Sequence, residues 1–86
     1  MEREFHINNE QGIHARPATR LVQLANDFDS DLFLVYNDKT VDLKSIMGVL
    51  SLGVTRGSSV VVRADGVDET EALRQISEFF TDLNNK

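Results

Sequence analysis

Apolar side chains follow two different spacings along the chain, and each change of spacing marks a new element. Residues 2–8 alternate, with Arg3, Phe5 and Ile7 on one face, which predicts a half-buried strand. Residues 16–27 predict an amphipathic helix, because apolar side chains recur at helical spacing there and just beyond: Ala18, Leu21, Val22, Ala25 and Phe28.

The middle of the chain predicts a hairpin followed by a short helix. Residues 32–36 are rich in strand formers, and residues 40–43 alternate apolar and polar side chains. Residues 37–39, Asn-Asp-Lys, are predicted to turn between these strands. A helix over about 46–52 is apolar almost all round, and Gly53 is placed to end it.

The last third of the chain predicts a strand over residues 59–65 and a final helix. Asp68 is predicted to cap this helix, with Glu71 three residues later completing a capping box. The acidic side chains of the helix are predicted to form a solvated face. Its core stripe is formed by Ala72, Leu73, Ile76, Phe80 and Leu83.

The predicted order, βαββαβα, belongs to the α+β class. A strand–helix–strand crossover is right-handed and makes the first two strands parallel, so the fourth strand fits between them and runs antiparallel to both. The result is an open-faced two-layer β-sandwich, with a four-stranded antiparallel sheet in the order 1-4-2-3 and three helices on one face. Residues 1–86 are expected to form a single domain, because this length suits one modest core.

Composition and charge exclude several classes of function. The chain has no cysteine, which excludes disulfides and thiolate metal sites, and two histidines alone disfavour a zinc site. A net charge of -5 disfavours direct nucleic-acid binding, which needs clustered lysine and arginine. No apolar run approaches the ~20 residues of a membrane span, and no signal peptide precedes the first strand, so we expect a cytoplasmic protein without membrane insertion.

The stretch GIHARPAT, residues 12–19, concentrates the candidate chemistry. Gly12 permits unusual backbone angles, and Pro17 suits a first helical turn because its missing N–H costs nothing there. His14 and Arg16 are therefore predicted at the mouth of a helix, where free N–H groups and the positive end of the macrodipole attract phosphate. The same field favours neutral, nucleophilic imidazole, and a guanidinium can grip phosphoryl oxygens as a fork.

The residues alone leave two interpretations of each candidate side chain. His14 is either a histidine that accepts a phosphoryl group or a solvated residue that caps the helix. Ser45 immediately precedes an apolar run, as a plain N-cap does, but a phosphate at a helix N-terminus is also electrostatically favoured. His6, on the outward face of the first strand, is predicted to be a solvated surface histidine.

GIHARPAT resembles the active-site signature of HPr, the histidine-containing phosphocarrier of the bacterial phosphoenolpyruvate-dependent sugar phosphotransferase system. LKSIMGVLSLG, residues 43–53, resembles the regulatory serine motif of the same family. The two motifs have the family's usual separation, on a chain of its usual length and element order, so the resemblance covers essentially all 86 residues. Asp38 departs from the pattern, since glycine is common at this hairpin position, and it leaves the turn type open.

The resemblance implies a carrier without a cofactor, rather than a stand-alone catalyst. His14 matches the histidine that enzyme I phosphorylates on Nδ1, ultimately from phosphoenolpyruvate, and that donates to the sugar-specific A components for sugar uptake. Arg16 matches the arginine that contacts the phosphoryl group. Ser45 matches the serine modified by the HPr kinase/phosphorylase of many Gram-positive bacteria, and a catabolite-control transcription regulator recognises the modified form.

The helix over 46–52 is too apolar to bury every side chain against one sheet, so part of it is predicted to be exposed. Exposed apolar patches often mark partner surfaces, and methionine adapts to several partners. In the family this helix and the first one dock onto enzyme I and the A components. The predicted docking residues are Ile46, Met47 and Leu50, with Thr19, Arg20 and Gln23 of the first helix, and the carrier is expected to be a monomer. The alternative is that all five apolar side chains of the short helix are core.

Two other functions are alternatives to the carrier. One is a regulatory interaction module that acts in carbon catabolite control through phospho-Ser45 and makes little use of its histidine. A regulatory paralogue in the family lacks the active-site histidine, so the presence of His14 favours the carrier. A self-contained histidine phosphatase fits poorly, because the nearest carboxylate in sequence is Glu10 and so small a sandwich is expected to offer little cavity.

Overall fold

Seven elements form in the computed structural model, which describes residues 1–85, and they follow the predicted order. The strands pair antiparallel in the order β1-β4-β2-β3, and the three helices cover one face of the sheet. The predicted class and strand order are therefore confirmed. The elements are β1 (Glu2–His6), α1 (Ala15–Ala25), β2 (Asp31–Tyr36), β3 (Lys39–Asp42), α2 (Ile46–Ser51), β4 (Ser59–Asp65) and α3 (Glu69–Asn84).

Burial alternates along the two central strands, and this alternation puts the core on one side of the sheet. Leu32 and Leu34 of β2 are buried, whereas Phe33 and Val35 are only half-buried. β4 alternates in the same way. The helices place their apolar stripes over the buried face, so the core lies between sheet and helices while the other face stays open.

The β2–β3 hairpin closes with a two-residue loop, one residue shorter than predicted, because Lys39 already belongs to β3. Tyr36 pairs with Lys39, and the two loop residues, Asn37 and Asp38, have φ angles of 49° and 66°. Two consecutive positive φ angles define a type I′ turn, whose twist matches that of the flanking strands. Asparagine and aspartate tolerate this region better than most residues, which explains why Asp38 can replace glycine.

The ends of the first two elements also differ from the sequence pattern. β1 ends at His6 instead of residue 8, although Ile7 stays fully buried and still bonds to the main chain of residues 57–58. α1 begins at Ala15, so Arg16 is helical despite the preference of a residue before proline for extended backbone. Pro17 lies in the first turn, as predicted.

α3, of 16 residues, is anchored to β1 by aromatic stacking near its C-terminal end. Phe80 stacks on Phe5 with ring centroids 4.7 Å apart, and Phe79 meets Phe80 edge-on at 5.4 Å. Such pairs contribute about 0.5–1.5 kcal/mol beyond the area that they bury. Within residues 1–85, no helix combines the length and the apolar character that crossing a membrane requires.

The capping box predicted at the start of α3 is wrong. Asp68 occupies the N-cap position, but its carboxylate makes no bond to its own helix. It instead accepts hydrogen bonds from the backbone amides of Asp29 and Ser30, each at 2.9 Å, and from the Ser30 hydroxyl. Glu71 pairs with Arg74 at 2.6 Å rather than with the cap. Asp68 therefore joins the start of α3 to the start of β2, a connection between segments 38 residues apart in the chain.

The bonds to Asp68 predict a pH-dependent contribution to stability. The Ser30 hydroxyl, followed by the Asp29 amide, lowers the pKa of Asp68 from its ordinary value of 3.8. A lowered folded-state pKa stabilises the fold above the unfolded value and loses that effect as pH falls through the folded value. We expect Asp68→Asn to lower the melting temperature at pH 7, with a difference from wild type that shrinks below about pH 4. Asp27→Asn, at an exposed position after α1, is the control, and a difference that stayed constant across pH would contradict the argument.

Candidate functional site

The loop between β1 and α1 is held against the segment that precedes β4. Ile7 accepts a hydrogen bond from the Gly57 amide at 2.7 Å and donates to the Ser58 carbonyl at 2.8 Å. At the other end of the loop, the Ile13 amide donates to the Val54 carbonyl at 3.1 Å. Both ends of the loop are thus fixed by main-chain bonds, and His14, the next residue, starts from a defined position.

Gly12 and Asn9 close a tight turn within this loop. The Asn9 side chain is buried and donates from Nδ2 to the Gly12 carbonyl at 2.8 Å, while the Gly12 amide donates to the Asn9 carbonyl at 3.2 Å. Gly12 has a φ of +64°, and a Cβ there would lie 2.3 Å from the Val54 carbonyl oxygen. Only glycine meets both conditions. Sequence reasoning identified Gly12 but missed Asn9, although an asparagine three residues before a glycine is a recognisable turn signal.

His14 occupies the N-cap position of α1 without capping it. Its backbone is extended, and its carbonyl accepts the first helical bond from the Ala18 amide at 2.9 Å. The imidazole makes no capping bond and is exposed, so the interpretation of His14 as a side-chain cap is wrong. The first N–H groups of a helix, here those of Ala15 and Arg16, have no intrahelical acceptor, and no acidic residue in the first turn neutralises them. The mouth of α1 therefore presents an exposed imidazole beside backbone donors that have no acceptor within the helix.

An open cleft of about 680 Å³ lies where the start of α1, the β1–α1 loop and the end of α3 meet. The expectation of little cavity is therefore wrong, because side chains from these three segments leave an open space between them. Arg16 and Arg20, one turn apart on α1, line the cleft with His14, and neither guanidinium forms a salt bridge within residues 1–85. The other lining residues are Asn9, Glu10, Gln11, Ala15, Pro17, Phe79, Asp82 and Leu83.

The predicted docking residues of α1 divide between the cleft and the open surface. Arg20 lines the cleft with His14, whereas Thr19 and Gln23 are exposed outside it. The Thr19 hydroxyl donates to the Ala15 carbonyl at 2.9 Å, which orients it along the helix. The contribution of α3 to the cleft, including Asp82, was missed, because the helical pattern of α3 does not reveal which distant element its last turn faces.

Ser45 caps α2, as predicted. Its hydroxyl oxygen accepts a hydrogen bond from the Gly48 amide at 3.1 Å, and the side chain is half-buried. A Cβ at position 48 would lie 3.3 Å from Val41 Cβ and 3.4 Å from Ser45 Oγ, so a small residue suits this first turn. α2 ends at Ser51, and Gly53, just after the C-cap Leu52, has a φ of +60°, the left-handed conformation that terminates helices.

α2 buries only part of its apolar surface, as predicted. Val49 and Leu52 are buried, Ile46 is half-buried, Leu50 is 38% exposed and Met47 is 74% exposed. The alternative in which all five are core is therefore wrong. We name the three accessible side chains, Ile46, Met47 and Leu50, the α2 patch.

α1 and α2 run antiparallel, which places His14 and Ser45 at opposite ends of the pair. Near the start of α2, the Lys44 carbonyl accepts a bond at 3.2 Å from Asn26, the C-cap of α1. After the end of α2, the Val54 carbonyl accepts the hydrogen bond from the amide of Ile13, which lies just before α1. The α2 patch therefore lies between the histidine and the serine, on the helix that packs beside α1.

Comparison with known proteins identifies one family, which matches this chain over nearly all of its length. The family model for the phosphotransferase-system HPr component, described as its phosphorylation site, matches residues 1–82. HPr-C-His from Thermoanaerobacter tengcongensis is 38% identical, with a TM-score of 0.94 over 100% of this chain and 97% of its own. A phosphocarrier protein HPr from Bacillus anthracis is 36% identical, with a TM-score of 0.88 over 93% and 95%. An HPr dimer, also from T. tengcongensis, is 41% identical, with a TM-score of 0.77 over 91% and 90%.

The fold, the helix mouth and these similarities define a phosphocarrier of the phosphotransferase-system type. The chain belongs to the HPr family.

Proposed function

We propose that the protein carries a phosphoryl group on His14, which it accepts from enzyme I and passes to the sugar-specific A components for sugar uptake. One observation supports this most: the exposed, non-capping imidazole at the mouth of α1, in a chain of the HPr family. The protein acts as an acceptor and a donor in turn, and the phosphohistidine is transient. The phosphoryl group comes ultimately from phosphoenolpyruvate.

The helix mouth offers a way to stabilise the transferring group. The ring nitrogen of neutral His14 attacks phosphorus as the bond to the donor breaks, and negative charge spreads over three equatorial oxygens. The free amides of Ala15 and Arg16 and the Arg16 guanidinium can accept that charge without first breaking another bond. Return transfer uses the same contacts, because the donor and acceptor steps pass through the same charge distribution.

The surfaces on either side of the site support the partners that we propose. We propose that enzyme I and the A components dock on the α2 patch together with Thr19, Arg20 and Gln23 of α1. Ser45, at one end of the patch, is the proposed substrate of an HPr kinase/phosphorylase, and a catabolite-control transcription regulator is the proposed reader of its phosphorylated form. We propose that the carrier acts as a monomer, whereas a 41% identical HPr was solved as a dimer.

The carrier is better supported than a module that acts only through phospho-Ser45. A regulatory module has no use for a free imidazole beside two guanidiniums that lack salt bridges within the described chain.

We propose that residues 1–86 act as a single phosphocarrier domain in the cytoplasm, where the phosphotransferase system draws on phosphoenolpyruvate.

His14→Ala is expected to abolish acid-labile phosphorylation by enzyme I and phosphoenolpyruvate while leaving the fold intact, because position 14 is exposed. His6→Ala is the matched control and is expected to be nearly silent, since within residues 1–85 the His6 ring makes one long contact, 3.4 Å to the Ser59 hydroxyl. Stoichiometric labelling with radioactive phosphoenolpyruvate measures both. Robust labelling of His14→Ala would contradict the proposed function.

Arg16→Ala is expected to slow phosphoryl transfer by a factor on the order of 10²–10³, the usual cost of losing one contact to a developing anion. Its melting temperature should change little, because the guanidinium is exposed and has no salt bridge in residues 1–85. Arg3→Ala, an exposed arginine on β1, controls for the loss of positive charge. Rapid-quench kinetics with enzyme I give the comparison, and equal rates for the two variants would refute the role of Arg16.

Ser45→Asp is expected to lower enzyme I-dependent phosphorylation through weaker docking, with little change in melting temperature. The added charge meets the positive end of α2 in the free protein, but a partner on the α2 patch must desolvate it. Phosphoserine, with about -1.5 to -2 charge, should act more strongly. Ser45→Ala separates the loss of the cap, about 1 kcal/mol, from the effect of charge. The docking argument fails if the Asp variant transfers as well as wild type, or if it is slow only because it unfolds.

A further inference from the structure

Asn84, the last residue of α3, uses both polar atoms of its side chain on the main chain that leads into the β1–α1 loop. Its Nδ2 donates to the His6 carbonyl at 2.7 Å, and its Oδ1 accepts from the Asn8 amide at 3.0 Å. These two groups flank Ile7, whose own amide and carbonyl bond in the opposite direction to residues 57–58. The Asn84 amide therefore replaces a neighbouring strand on the outer side of the chain, just after β1 has ended.

Both partners in this contact are held in place by packing. Phe80 lies one helical turn before Asn84 on the same face of α3 and stacks on Phe5 of β1 at 4.7 Å. Ile7, between the two bonded groups, is fully buried. The packing of Phe80 and Ile7 thus positions the Asn84 side chain close to the His6 carbonyl and the Asn8 amide. Forming the two bonds therefore costs little further conformational entropy.

The contact fixes two parts of the cleft relative to each other. α3 lines the cleft with Phe79, Asp82 and Leu83, all within five residues of Asn84. The β1–α1 loop lines it from the other side and continues directly into His14. Within residues 1–85, the Asn84 bonds are the hydrogen bonds that join the end of α3 to this loop. Without them the two segments are held by apolar packing, which fixes their separation but has little effect on their relative orientation.

We propose that Asn84 is a positioning residue for phosphoryl transfer at His14: it holds the β1–α1 loop and the end of α3 in the relative orientation that aligns the imidazole with the incoming phosphoryl group. The inference rests on the proposed function of His14. Asn84 lies outside the α2 patch and the proposed docking residues of α1. Its loss should therefore reduce the rate of transfer within the complex with enzyme I and leave the formation of that complex unchanged.

The test compares Asn84→Ala with Asn85→Ala, the same change at the next residue, whose exposed side chain takes no part in this contact. Initial rates are measured over a range of carrier concentrations with catalytic enzyme I and excess phosphoenolpyruvate, well below the melting temperature of every variant. Asn84→Ala is expected to lower kcat about tenfold, the scale of a sub-ångström misalignment, with KM unchanged. Asn84→Asp, which keeps the acceptor for the Asn8 amide, should recover part of the rate, and Asn85→Ala should match wild type.

Hydrogen exchange provides the structural measurement. The Asn8 amide should exchange faster in Asn84→Ala but not in Asn85→Ala. A wild-type kcat for Asn84→Ala, a change confined to KM, or an equal loss in Asn85→Ala would each overturn the inference while the carrier function stood. If wild-type protein were not phosphorylated at all, the proposed function would fail, and this inference would fail with it.

Discussion

The helix mouth at His14 depends on one close contact, between the main chain at Gly12 and the main chain at Val54 and Thr55. A Cβ at Gly12 would lie 2.3 Å from the Val54 carbonyl oxygen and 2.8 Å from Thr55 Cα, so the two segments touch with no side chain between them. The next residue, Ile13, bonds to the same carbonyl and is buried. A side chain would force this contact open and would add about 1–2 kcal/mol of left-handed backbone strain. The direction in which His14 leaves the loop follows from this contact.

The fold could be predicted from the sequence because its local and global signals agree. Alternation marks the central strands, helical spacing marks α1 and α3, and the handedness of the crossover leaves one position for β4. Local signals failed where a distant group competed. The Asp68 carboxylate has the sequence context of a capping box, yet two backbone amides and a hydroxyl near the start of β2 use it instead. A pattern read over four residues cannot include a competitor 38 residues away.

In the candidate site, too, the features set by local sequence could be predicted, whereas those set by tertiary packing could not. The motif around His14 gave the helix mouth, the free amides and the arginine, because all of them are consequences of where a helix begins. Asn84 and Asp82 reach the same region through tertiary packing, and no spacing in the sequence relates them to residue 14. The cleft itself arises where the start of α1, the β1–α1 loop and the end of α3 meet, and periodicity gives no information on how separate elements meet.

The antiparallel arrangement of α1 and α2 has a consequence for how two modifications can influence each other. α1 has 11 residues, so its ends are on the order of 16 Å apart at the usual helical rise, and His14 and Ser45 lie at these opposite ends. Two phosphoryl groups of about -2 charge each, on the order of 16 Å apart in water, repel each other by about 1 kcal/mol before screening. The Debye length at physiological ionic strength is about 8 Å, so screening by salt reduces this repulsion to a few tenths of a kcal/mol at most. Charge on Ser45 is therefore too distant to alter His14 directly through solvent. A macromolecule that covered both ends of the helix pair at once would exclude that solvent and would give the two positions a route of communication.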